Sequence, residues 1–199
     1  DGKKILDNVS FIVEKGDKIG FVGSNNIAKT TLFKILMGEE KYDKGKIEWG
    51  NTITKSYYPQ DNTSYFTGDE PIVKWIGHFY NIDDETLLRG FLGRMLFSGE
   101  EVFKNVQVLS GGEKARCMLS KCMLEGSNFI ILDEPTNHLD LESITALNNG
   151  LIKYNGELLF ASHDHQFVET VANRIIEFND DGTITDKKCT YDEYLDYKK

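Results

Sequence analysis

The strongest constraint on this chain is a junction near its start. The uncharged run Ile19-Gly20-Phe21-Val22 leads directly into Gly23-Ser24-Asn25-Asn26-Ile27-Ala28-Lys29-Thr30-Thr31. Leu32, Ile35 and Leu36 then recur at helical spacing up to Gly38, a residue type that commonly stops a helix. A buried strand, a glycine-led loop and a helix, in that order, favour a bound anion at the loop amides and helix N-terminus. In such a loop the backbone N–H groups wrap phosphates, Lys29 reaches the β- and γ-phosphates, and the Thr30 hydroxyl ligates Mg²⁺. Alone, the loop is also compatible with a plain strand-to-helix turn. Ala28 stands where the pattern has its second glycine, and a methyl group close to the phosphate cradle is expected to weaken nucleotide binding. Asn26 is less of a burden, because Asn tolerates positive φ.

The remaining pattern is α/β. Val9, Phe11 and Val13 alternate in strand fashion before a turn at Gly16-Asp17, and Lys46–Trp49 and Ile53–Tyr57 flank Gly50-Asn51 as a short antiparallel pair. From about 71 to 123 the pattern is helical, with Pro71 at a plausible first helical position behind Asp69 and Glu70. Phe129–Leu132, Leu158–Ala161 and Ile175–Phe178 are short, wholly apolar runs separated by helical stretches, as in buried parallel strands. The expected architecture is a phosphate-loop fold with a RecA-like parallel sheet core, an antiparallel β subdomain and a helical subdomain, all within one domain over residues 1–199.

Chemistry-bearing residues follow the predicted strand ends. Asp133 and Glu134 close the run Phe129–Leu132, at the carboxyl edge where open α/β sheets bind ligands. Asp133 suits an Mg²⁺ water shell, and Glu134 suits a general base acting on water. Leu109-Ser110-Gly111-Gly112-Glu113 opens a helical stretch running to Leu124. Its two glycines permit close backbone approach to a second anion. Gln60 and His163 each follow a strand edge, as an Mg²⁺ or water ligand and a γ-phosphate sensor, although either type alone is usually a solvated or core polar residue.

Composition narrows the partners. With 199 residues, 40% hydrophobic, the chain can bury one substantial core, and its net charge of −9 disfavours broad contact with nucleic acid or anionic lipid. Lys41, Lys44 and Lys46 suit a solvated strand edge, so no direct nucleic-acid site is assigned. No apolar run approaches the roughly 20 residues that cross a bilayer. Cys117, Cys122 and Cys189 have neither metal-ligand spacing nor the pattern of a disulfide framework. A soluble, cytoplasmic protein with reduced thiols and no membrane partner is expected. Because Asp1 falls where a hairpin is already under way, the expectation is a piece of a longer protein.

In this order, the phosphate loop, Gln60, Leu109–Glu113, Asp133-Glu134 and His163 resemble ATP-binding cassette ATPases across nearly the whole chain. Leu109-Ser-Gly-Gly-Glu-Lys-Ala-Arg116 and Asp133-Glu-Pro-Thr-Asn-His-Leu-Asp140 look like the ABC-F class, whose members carry two cassettes in one chain and act on the ribosome. Ile27–Leu32 and Ser162–Phe167 look like the second, C-terminal cassette of a bacterial subgroup. The usual pattern has glycine at 26 and 28 and arginine at 165, where this chain has Asn26, Ala28 and His165.

The resemblance implies that ATP is sandwiched between one cassette's phosphate loop and the other's signature loop. Ser110 and Gly112 would then touch nucleotide held by the partner cassette, and Asp140 would lie in the loop crossing the interface. It also places an adenine-stacking aromatic just before Asp1, from the alignment of a Gly2-Lys3 hairpin, so weak ATP binding by these residues alone is expected. Two other functions share these motifs. One is the motor subunit of a membrane transporter; the other is a nucleotide-sensing cassette that turns over slowly, motivated by Asn26 and Ala28. Chromosome-maintenance ATPases need a far longer interval between Gln60 and Leu109.

Overall fold

The computed structural model describes residues 4–199, so the Gly2-Lys3 hairpin lies outside the described residues. In chain order the elements are β1 (Lys18–Val22), α1 (Asn26–Met37), β2 (Lys55–Tyr58), α2 (Ile72–His78), α3 (Glu85–Arg94) and α4 (Gly111–Glu125). Then come β3 (Phe129–Asp133), α5 (Leu141–Lys153), β4 (Glu157–Ala161), α6 (His165–Val171), β5 (Arg174–Phe178), β6 (Ile184–Lys187) and α7 (Tyr191–Lys198). They form two compact units. The first takes the described residues up to Tyr57 with Ser127–Glu134 and Asn155–Lys199, and the second Tyr58–Gly126 with Pro135–Tyr154.

The first unit is built on a sheet ordered β2-β3-β4-β1-β5-β6. Strands β3, β4, β1 and β5 run parallel, and β6 returns antiparallel to β5. The parallel strands read as continuous apolar runs because both their faces are covered. Ile19, Phe21, Phe33, Ile131, Leu159 and Phe178 belong to one buried cluster, in which Phe21 meets Phe33 edge-on at 5.3 Å and stacks on Phe178 at 5.9 Å. Register carries the functional consequence. Asp133 lies opposite Ala161, and Ala161 opposite Phe21, so the residues after β3, β4 and β1 leave the sheet from one edge.

Helix α1 begins where Asn25 accepts the N–H of Ala28 at 3.1 Å. It ends at Gly38, whose left-handed φ of +79° lets its N–H reach Ile35 O at 3.0 Å. Across the sheet, α6 packs on β1 and on α7. Arg174, at the start of β5, is buried between Asp17 and Asp186.

The second unit is mostly helical. α2, α3 and α4 pack together, with Trp75 stacked on Phe66 at 4.8 Å and its indole N–H given to Tyr65 O at 2.8 Å. Lys121 lies over the rings of Tyr65, Phe79 and Tyr80.

Several expectations shift in detail. Val9–Val13 and Lys46–Trp49 show the expected alternation in burial, yet neither forms a strand ladder; Val9, Phe11, Val13 and Trp49 pack against the first unit's cluster from irregular backbone. The turn at Gly50 is present, with Ile53 N–H on Gly50 O at 3.1 Å, but β2 then neighbours β3 in the sheet. Asn128 accounts for that choice, since it accepts the N–H of Thr54 at 2.9 Å and donates its side-chain amide to Thr52 O at 2.9 Å. Pro71 precedes α2 as its extended cap residue, one position before the expected one, because φ −71° and ψ 152° keep it out of the helix. Lys41, Lys44 and Lys46 are exposed outside any strand.

Candidate functional site

The loop Gly23–Thr31 follows β1 in the first unit. Gly23 has φ +102°, and a Cβ there would fall 2.3 Å from Phe178 O, so no other residue fits without moving β5. Ser24 gives its hydroxyl to Asp180 at 2.6 Å. Asn25 caps α1, and Asn26, Ile27, Ala28, Lys29, Thr30 and Thr31 lie in its first turns.

Ala28 departs from expectation. Its side chain is fully buried in the cluster with Leu32 and Phe33, so the methyl faces the core and not the phosphate cradle. The signal was available, because Ala28 and Leu32 are four residues apart and share a helix face. Asn26 also differs from the expectation, since it is the first residue of α1 and is absent from the residues with positive φ. Neither position draws on glycine's conformational freedom.

Lys29 is 2% exposed and donates to Gly23 O at 3.1 Å. Burial lowers its pKa, while the charges of Glu134 and Asp133 act in the opposite sense. Asp133, at the end of β3, is 1% exposed, and burial raises its pKa to about 6 against a hydrogen bond from Thr30 that lowers it. Its Oδ2 is buried without a hydrogen-bond partner. A buried carboxylate with one free oxygen beside the Thr30 hydroxyl fits a hard cation, so Thr30 and Asp133 could hold Mg²⁺.

Glu134 follows with φ +53°, an uncommon conformation for a side-chain-bearing residue. Its N–H binds Ala161 O at 2.9 Å, and its Oε2 accepts the N–H of His163 at 3.2 Å. Its Oε1 is buried without a hydrogen bond, 3.4 Å from His163 Nε2. That ring nitrogen also lies 3.2 Å from Asn26 Nδ2. The sheet edge therefore gathers Lys29, Thr30, Asp133, Glu134 and His163 together with Asn26 of the expected loop, and adds Asp180, which the sequence did not single out. No local sequence signal ties Asp180 to Ser24.

The second unit holds the other sequence-predicted residues. Gln60 is exposed after β2. Leu109 is buried, and Ser110 caps α4 in a reciprocal pair: Ser110 N–H to Glu113 Oε2 at 2.8 Å, Glu113 N–H to Ser110 Oγ at 3.3 Å. Lys104 pairs with Glu113 at 2.5 Å, and this pair with the Ser110 hydrogen bonds holds the Glu113 carboxyl below its usual range despite an opposing burial effect. A Cβ on Gly112 would fall 2.8 Å from His138 O, while one on Gly111 would make ordinary contact with His138. Asp140 caps α5, accepting Ser143 N–H at 2.8 Å, which lowers its pKa.

A parallel sheet that delivers a glycine-led loop, a buried lysine and an Asp-Glu pair to one edge defines a phosphate-loop nucleotide-binding domain. More narrowly, the chain belongs to the ATP-binding cassette family, since the profile described as ABC transporter matches residues 6–137. It is 62% identical over 198 residues to the "Uncharacterized ABC transporter ATP-binding protein YkpA" of Bacillus subtilis, covering 98% of this chain and 36% of that protein. It is 35% identical over 204 residues to the "Energy-dependent translational throttle protein EttA" of Escherichia coli K12, covering 98% and 36%. Among solved structures, an archaeal ribosome recycling factor, in complex with an archaeal ribosomal stalk protein, matches with TM-score 0.74 and 26% identity over 93% of this chain and 37% of that one. The chain thus spans about a third of the length of the curated relatives it matches. No helix among the described residues is long and apolar enough to cross a membrane.

Proposed function

We propose that this chain is one of the two cassettes of a bacterial ABC-F translation factor, the C-terminal one, and that it hydrolyses Mg-ATP when closed on the other cassette of the same protein at the ribosome. One observation carries the chemistry: adjacent buried carboxylates at one sheet edge, Asp133 and Glu134, each keep an oxygen free of hydrogen bonds beside the buried Lys29. Likeness to a protein named a translational throttle supports the ribosomal setting.

Each residue has a distinct task. The loop amides and the Lys29 ammonium meet the phosphate charge. Glu134 acts as general base through Oε1, while Oε2 stays on His163 N–H and keeps the carboxylate oriented. His163 presents its ring to the terminal phosphate. Thr30 and Asp133 would hold Mg²⁺, which would supply charge neutralisation at the phosphates when bound. Ser110 and Gly112 serve nucleotide held by the other cassette, and Asp140 lies at the surface between them.

ATP hydrolysis by the full-length protein, measured with and without ribosomes, tests this assignment. Ribosome-stimulated turnover is expected. Hydrolysis that ribosomes leave unchanged would remove the translational setting and leave the ATPase.

A further inference from the structure

Two side chains converge on one ring nitrogen in the first unit. His163 Nε2 lies 3.2 Å from Asn26 Nδ2 and 3.4 Å from Glu134 Oε1. An amide nitrogen has only protons to offer, so a hydrogen bond from Asn26 requires Nε2 to accept and places the ring proton on Nδ1. Glu134 Oε1, 3.4 Å from the same nitrogen, is buried and makes no hydrogen bond to it.

We propose that Asn26 is a positioning residue that holds His163 in a resting state, with Nε2 occupied as an acceptor and withheld from Glu134 and from nucleotide. The proposal rests on the assignment of His163 to the terminal phosphate. A phosphate oxygen, like a carboxylate, accepts hydrogen bonds, so Nε2 can serve it only after Asn26 lets go and a proton moves to that nitrogen. Each turnover therefore begins by breaking the Asn26–His163 contact. Asn26 is exposed, begins α1 and needs no positive φ, so its side chain can be changed without disturbing the loop backbone. His163, with 60% of its side chain exposed, is free to turn once released.

The full-length protein, labelled with ¹⁵N at its histidine rings and assigned with His163→Gln, reports the tautomer directly, without nucleotide. Wild type is expected to show an unprotonated, accepting Nε2. Asn26→Asp, which keeps the shape but offers no proton, is expected to shift the proton to Nε2. Asn26→Ala is expected to raise kcat for ATP roughly three- to tenfold, the equivalent of one net hydrogen bond, with KM little changed. A wild-type Nε2 that carries the proton overturns the proposal, as does an Asn26→Ala kcat that stays level or falls. No ATP hydrolysis in wild type, alongside the expected tautomer, would instead overturn the ATPase assignment and the catalytic half of this proposal, leaving the hydrogen bond itself established.

Discussion

Glu134 Oε2 accepts the main-chain N–H of His163 at 3.2 Å, and Glu134 N–H binds Ala161 O at 2.9 Å, so the carboxylate that follows β3 is fixed from the end of β4. Its φ of +53° is the cost of that placement, a strain of order 1–3 kcal/mol that surrounding structure must offset. Glu134→Gln keeps the shape and the accepting oxygen but loses the base. We expect kcat for ATP to fall by roughly 10²–10⁴ with ATP affinity retained. Phosphate release and calorimetric titration measure the two separately, and a rate loss under about tenfold would exclude Glu134 as the base.

Ala28→Gly restores the residue expected in the loop pattern, but it is not expected to tighten ATP binding, because the methyl lies in the core. It should instead destabilise the protein by about 1 kcal/mol, from the helix penalty of glycine and the lost packing. Urea unfolding and ATP titration of the same variant decide. An affinity gain of tenfold would place the methyl at the phosphates after all.

What the residues revealed in advance follows from how local each feature is. β3, β4 and β5 could be read because strands buried on both faces must be apolar throughout, and Lys29, Asp133 and Glu134 because their places follow from the strand ends. β6 had no such signal: Ile184-Thr-Asp-Lys187 lacks an apolar face, and its place is secured by Asp186 gripping Arg174 across the antiparallel pair. The Asn26–His163 contact spans 137 residues and depends on the register of β4 against β1, which no local pattern encodes.

The pKa of Asp133, raised to about 6 chiefly by burial, makes stability depend on pH in a definite direction. Between the unfolded value near 3.8 and about 6, the folded state holds the extra proton. Ionisation therefore opposes folding, and the stability present at low pH is lost as pH rises through 6. In the absence of divalent ions, wild type should lose about 2–3 kcal/mol relative to Asp133→Asn between pH 4 and 7. Paired urea titrations across that range measure the difference. A wild type that gains on the variant as pH rises would mean the carboxylate is already ionised and compensated.

Arg174 offers the sharpest test of what holds the first unit's far edge. With its side chain 5% exposed, it donates to Asp186 at 2.9 and 2.5 Å, to Asp17 at 2.6 Å and to Ile12 O at 2.7 Å. These partners raise its pKa, the Asp186 hydrogen bonds most of all. Arg174→Met removes the cation and leaves two carboxylates half-buried beside each other, so a loss of about 3–5 kcal/mol is expected. Arg174→Lys keeps the charge but cannot form the fork to Asp186 while also holding Asp17, so a smaller loss of about 1–3 kcal/mol should remain. Adding Asp17→Asn and Asp186→Asn to the Met variant should recover part of the loss, because the penalty comes largely from stranded charge. Denaturant midpoints for wild type and the three variants give the comparison. If the triple variant were no more stable than Arg174→Met alone, the arginine would act through packing and its hydrogen bond to Ile12 O, not through charge.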